Sequence, residues 1–197
     1  MILLTKYLLY VLLFVMFVGC ANDNYKNKAA QPGDKVDTVV SFSIIRKDST
    51  RISNYYFNRK IMLDGMVAFN YLSKADTFAI FFDASGKRFE AKFGSDTGQF
   101  ELDKTKYYTI NGKDFKVLKL VGDKNVTDGA FSLFVNAELG LLLNKSNTWR
   151  AAKVMVPEKN SPYYAEVTAL LYRMQTDEEF FGNSIPDIKK FTTPKVE

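Results

Sequence analysis

From Asp37 onward the chain settles into a two-residue repeat, and that repeat limits its fold more than any other feature. Val40, Phe42 and Ile44 fall on one side of an extended chain and Ser41 and Ser43 on the other, which is the pattern of a half-buried strand. Comparable runs follow at 52–57, 61–63 and 66–72, then at 77–82, 88–93, 106–110, 113–121 and 131–136. Between them stand turn-forming stretches: Asp83-Ala84-Ser85-Gly86, Gly94-Ser95-Asp96-Thr97-Gly98, and Asn111-Gly112. The last is the sharpest signal, because a two-residue type I′ turn needs positive φ at both centres and Asn-Gly adopts it at little cost. Gly140 then precedes the continuously apolar Leu141-Leu142-Leu143, expected to be a buried central strand or a sheet corner.

Beyond Trp149 the periodicity changes. Ser161 and Pro162 fit a helix N-cap and first helical position, and Tyr163, Val167, Leu170, Leu171 and Met174 form one apolar stripe after them. Thr176-Asp177-Glu178-Glu179 has capping-box spacing, and a short helical turn through Phe181 would stop at Gly182. The expectation is a mainly β domain over 37–185, an antiparallel β-sandwich or half-barrel with a C-terminal amphipathic helix, and a tail over 186–197 containing Pro186 and Pro194.

Residues 1–20 obey a different logic. Lys6 beside the amino terminus precedes an apolar run over 7–18, then Gly19, then Cys20, the sole cysteine. That is the order of an export signal. The box Phe17-Val18-Gly19-Cys20 resembles that of bacterial lipoprotein signal peptides, with Phe17 where Leu is commonest. The resemblance covers this segment alone. It implies removal of 1–19, acylation of Cys20 with a lipid anchor such as palmitate, and a membrane-attached mature protein. Ala21, rather than an aspartate, in the second mature position is similar to the sorting pattern for the outer membrane. The rival readings of this segment are an uncleaved membrane helix, since it nears the ~20 apolar residues a bilayer core requires, and ordinary cleaved secretion. All three put the rest of the chain outside the cytoplasm. Residues 20–36, polar and containing Pro32-Gly33, read as a flexible tether.

The composition removes several functions. Against 27 Lys and Arg stand 22 Asp and Glu, and no run exceeds two basic residues, so nucleic acid is not an expected partner. With no His and one Cys, Ser-His, Cys-His and His-ligated metal chemistry is excluded, as is an internal disulfide. No cofactor is expected, since nucleotide-binding glycine patterns are missing. Asp123, Asn125 and Thr127 come nearest to a calcium loop but lack a downstream Glu, so the segment reads as an Asx-rich turn.

Candidate binding residues come from the aromatics. Three doublets, Tyr55-Tyr56, Tyr107-Tyr108 and Tyr163-Tyr164, place one ring on each side of a strand where they fall in strands. Tyr55, Tyr108 and Tyr164, with Trp149 packing under the helix, are the candidates for a groove that takes a glycan or an acyl chain. Asp37-Thr38-Val39 and Asp48-Ser49-Thr50 resemble acceptor sites for bacterial O-glycosylation. The function expected is a lipid-anchored envelope protein with a binding or assembly role, its partner a glycan, a lipid or another envelope protein. The alternative is a carboxylate-dependent envelope hydrolase in which Glu138, raised in pKa by nearby apolar surface, works with a second acid such as Asp83 or Asp64.

Overall fold

The computed structural model describes residues 35–46, 49–83, 88–122, 131–146 and 151–182. Ten strands follow one another: β1 (Lys35–Arg46), β2 (Ser49–Ile61), β3 (Met66–Leu72), β4 (Thr77–Asp83), β5 (Phe89–Phe93), β6 (Asp96–Ile110), β7 (Lys113–Gly122), β8 (Phe131–Asn136), β9 (Gly140–Ser146) and β10 (Ala152–Val156). Two helices close the described chain, α1 (Tyr164–Thr176) and α2 (Glu178–Phe181). Each strand pairs antiparallel with its sequence neighbours, and β1 pairs with β10, so the sheet is a closed barrel. The expectation of an antiparallel β domain with a C-terminal amphipathic helix holds. Neither a sandwich nor a half-barrel describes the sheet, because the register Ser41↔Val156 through Ile45↔Ala152 leaves no gap between first and last strands.

The strand that closes the barrel is the one the pattern conceals. In β10, Ala152 and Val154 are buried on one face and Met155 on the other, beside Lys153, so apolar and polar residues do not alternate. Three further boundaries differ from the sequence reading. Strand β6 runs from Asp96 to Ile110, so most of the expected 94–98 turn and all of 99–105 belong to the strand read as 106–110. Residues 52–57 and 61 belong to one strand, β2, with Met62 and Leu63 in the turn after it, and β1 begins at Lys35 rather than Asp37.

Registers carry the side chains around the barrel in rows. Thr38, Phe57, Tyr71, Phe78 and Phe93 lie in one cross-strand row, and Phe93 meets Phe131 of β8 edge-on at 5.8 Å. Two strands that far apart in the sheet touch only through the interior, so this face points inward. Tyr71 stacks on Phe78 at 4.3 Å, and Phe42 sits edge-on to Tyr55, Tyr71 and Phe78. Aromatic rings fill the interior. They pack in the offset and perpendicular arrangements that ring quadrupoles favour.

The opposite face of β7–β10 is also buried. Phe134, Leu143 and Val154 form an outer row ending at Ser43, all buried, and they share one apolar cluster with Val167, Leu170, Leu171 and Met174 of α1. Both Leu141–Leu143 and β8 are therefore buried on two sides, with the barrel core on one and the helices on the other, β8 carrying Ser132 and Asn136 beside Phe134 on the outer side. On β5 the outer face is polar, with Lys92 exposed, and on β2 it is mixed, exposed Asn54 and Lys60 alternating with exposed Ile52 and Tyr56. A bilayer-spanning barrel has the inverse pattern, with an apolar outer band around a polar lumen.

The helix starts later than Ser161-Pro162 implied. Tyr163 is the N-cap, with no side-chain bond, while the Ser161 hydroxyl accepts from Tyr163 N–H in the preceding turn. Tyr163 stays half exposed, outside the stripe. For α2 the cap is Asp177 rather than Thr176, its carboxylate accepting from Phe180 N–H, and Gly182 ends the turn at φ +76°.

Because strand directions alternate, the barrel has two distinct rims. One, the near rim, gathers the start of β1, the β2–β3, β4–β5, β6–β7 and β8–β9 connections and the end of β10. The far rim carries the other turns.

Candidate functional site

The sequence candidates do not converge. Tyr55 faces the interior and is 1% exposed, whereas Tyr108 lies on the outer face beneath the helices, buried against Phe180. The barrel wall separates them. Tyr164 is half-buried on the first turn of α1. Trp149 lies outside the described residues, as do Cys20 and the Asp123–Gly129 segment. The doublet rule is nevertheless visible: Tyr56 and Tyr107, the partners of the buried pair, are 64% and 63% exposed.

Tyr55 belongs to a polar cluster set into the core toward the far rim. Its hydroxyl donates to Asp76 Oδ2 at 2.9 Å, and Lys153 Nζ reaches both that oxygen at 3.0 Å and the Tyr55 hydroxyl at 3.1 Å. The ammonium also lies 4.3 Å from the Phe78 ring centroid. Burial and then Asp76 push the Tyr55 hydroxyl up. Burial pulls Asp76 upward, but the bonded Lys153 outweighs it and holds the carboxyl below its usual range. Burial lowers Lys153, against the pull of Asp76. Each group is satisfied by the other two, so the trio seals the core's end with matched charge.

Tyr108 has a comparable role outside the barrel. Its hydroxyl donates to Asp177 Oδ2 at 3.1 Å, and Lys106 Nζ meets the same oxygen at 2.5 Å. Burial would raise Asp177, yet Lys106, Phe180 N–H and Tyr108 together hold it low. Lys145, 5% exposed under α2, donates to Phe181 O at 2.8 Å with its ammonium 4.3 Å from the Phe181 ring. Burial, and then Lys119, lowers its pKa to about 8. These contacts fasten the helices to the sheet.

Glu138 lies in the β8–β9 turn at the near rim, 65% exposed and 3.2 Å from Lys113. Asp64 is turned onto Met66 N–H and Asp83 onto Arg88 N–H, so each of these acids is engaged in its own turn.

Among the described residues, two surfaces combine exposed apolar groups with a defined geometry. One is a depression of about 230 Å³ at the near rim, lined by Arg59, Lys113, Phe115, Glu138, Leu139 and Tyr163. Lys113 Nζ lies 5.0 Å from the Phe115 ring centroid and 5.6 Å from that of Tyr163. The other is on the outer wall. Val39, Tyr56 and Leu72 are register partners across β1, β2 and β3 and are 45%, 64% and 49% exposed. Sequence reasoning reached neither, since registers between strands decide which apolar residues become neighbours. The exposed member of each doublet was the available clue.

The fold and these surfaces define a ten-stranded up-and-down antiparallel barrel with a solid aromatic core and a helical strap. No protein-family model, curated protein or solved structure matches the chain.

Proposed function

We propose that this chain is a lipoprotein of the bacterial cell envelope, held through acylated Cys20 at the outer membrane, whose barrel docks on an envelope protein partner. The observation that carries the docking role is the Val39–Tyr56–Leu72 row. Cross-strand neighbours sit about 5 Å apart, so the three side chains make one continuous apolar strip on a rigid wall. Its exposed central tyrosine is of the residue type enriched at protein interfaces and their hot spots. A small ligand inside the barrel has less support, because Tyr71, Phe78, Phe42 and Tyr55 already occupy the interior.

Anchoring is tested by fatty-acid labelling and mature mass of wild type beside Cys20→Ala; a Cys20→Ala chain that is still labelled ends the lipoprotein reading. Docking is tested by a photo-crosslinking amino acid at position 56 in intact cells, with position 92 as the outward control. One discrete adduct at 56, lost with Leu72→Asp, is the expected result. Equal adducts at both positions, or an adduct indifferent to Leu72→Asp, refute it.

A further inference from the structure

We infer that the near rim is a lipid-facing surface: the β2–β3 turn and the mouth of the neighbouring depression rest on the phospholipid bilayer, and the far rim points away from it. The inference deepens the anchoring proposal and rests on it in one respect, that the covalent path from Cys20 enters the barrel at Lys35, on this rim.

The other observations are independent of the anchor. Leu63 is 85% exposed and its neighbour Met62 44%. They are not a loose tip. Gly65 N–H donates to Met62 O at 3.0 Å, Met62 N–H to Met66 O at 2.7 Å, and Met66 N–H also to Asp64 Oδ1 at 3.1 Å. The turn is therefore built, and it holds a leucine out into solvent with its ordering cost already met. Gly65, at φ +80°, makes the reversal possible.

Polar groups complete the surface. Lys60 is exposed at the end of β2, and Arg59 and Lys113 line the depression together with Tyr163, which is itself 50% exposed. Apolar tips beside cations and an amphipathic aromatic ring suit the level of lipid headgroups, where tyrosine sits and lysine meets phosphate. Four acids of this rim are each engaged locally: Asp64 accepts from the Met66 amide, Asp83 from the Arg88 amide and Asp114 from the Thr109 hydroxyl, while Glu138 pairs with the Lys113 ammonium. On the far rim the β3–β4 and β5–β6 turns are instead Ser73-Lys74-Ala75-Asp76 and Gly94-Ser95. No aliphatic or aromatic side chain larger than alanine stands in either.

The test uses the full chain with Trp149, the sole tryptophan, replaced by Phe. Leu63→Trp and Ser95→Trp proteins are reconstituted on phosphatidylethanolamine–phosphatidylglycerol vesicles whose acyl chains carry bromine, and tryptophan quenching is read alongside the mass of the same preparation. The expected result is several-fold stronger quenching, with a blue shift, for Leu63→Trp than for Ser95→Trp. Lipid found on Cys20 with equal or no quenching at the two positions overturns the rim assignment and leaves the anchor standing. Strong quenching for Leu63→Trp without lipid on Cys20 overturns the anchor and leaves the rim assignment standing.

Discussion

Replacing Gly140 with alanine tests how the interior is tied together. Gly140 opens β9 at φ +79°. A Cβ there would lie well inside the contact distance of the Tyr71 hydroxyl and 3.2 Å from Phe57 Cε2. Tyr71 comes from β3 on the opposite wall and accepts a hydrogen bond from Leu141 N–H at 2.6 Å, so the clash falls on a strut that spans the core. Left-handed backbone costs a non-glycine residue about 1–2 kcal/mol. Displacing the hydroxyl leaves a buried N–H unpaired, a further ~1–3 kcal/mol. The expected loss is about 3–4 kcal/mol, a large fraction of a typical domain's stability.

Gly65→Ala supplies the control. Its φ is +80° but nothing lies within 4 Å of the new methyl, so it should cost only the backbone strain, about 1 kcal/mol. Tyr71→Phe removes the hydroxyl that the methyl would strike. The double variant Gly140→Ala with Tyr71→Phe should therefore be less unstable than the sum of the singles by at least ~1 kcal/mol. Equilibrium urea unfolding followed by circular dichroism, with unchanged slope, measures all four. If Gly140→Ala costs no more than Gly65→Ala, or if the two sites add, the strut does not bear on stability as argued.

Other consequences are equally open to measurement. Lys145 is lowered from 10.5 to about 8, so between those values the unfolded chain binds more protons and stability rises with pH. Melting temperature should climb from pH 8 toward about 9.5, with a ceiling of about 3 kcal/mol, and Lys145→Met should flatten that slope. Raised tyrosines such as Tyr71, which burial holds protonated, reverse the trend at higher pH. Asp177→Ala removes the α2 cap, the Lys106 pair and the Tyr108 acceptor, and should cost about 2 kcal/mol, with amide exchange accelerating in 178–181 before it does in the strands. The Ser43 hydroxyl, 1% exposed, has no hydrogen-bond partner among the described residues, so Ser43→Ala should be neutral or stabilise by up to about 1 kcal/mol; a clear loss in chemical denaturation would reveal a partner.

The legibility of this fold follows the range of its interactions. Asn111-Gly112 marks its own hairpin because the two φ angles, 51° and 77°, are a local property. The stripe Val167, Leu170, Leu171 and Met174 is likewise local, since helical neighbours are close in sequence, and all four are buried. Closure is not local. It depends on β1 meeting β10, and β10 is short, buried on both faces and carries Lys153 in the inward row. A lysine there reads as a solvent position until Asp76 and Tyr55, from strands far away in sequence, are seen around it. The tyrosine candidates fared alike: the doublets correctly separated in from out, but which tyrosine went outward depended on register.

Joining the first strand to the last also sets the order in which the molecule can come together. As the chain is made from its amino end, β1 must keep one row of backbone donors and acceptors open until Ala152–Val156 arrives. Sequence-distant pairing of this kind slows folding and prolongs exposure of sticky edges. Any chain interrupted before Ala152 would keep two unpaired edges and lose the helices that cover its second apolar face, leaving a species ready to pair with its own kind. Completeness of the chain is thus a condition for solubility during biogenesis, not only for the final shape.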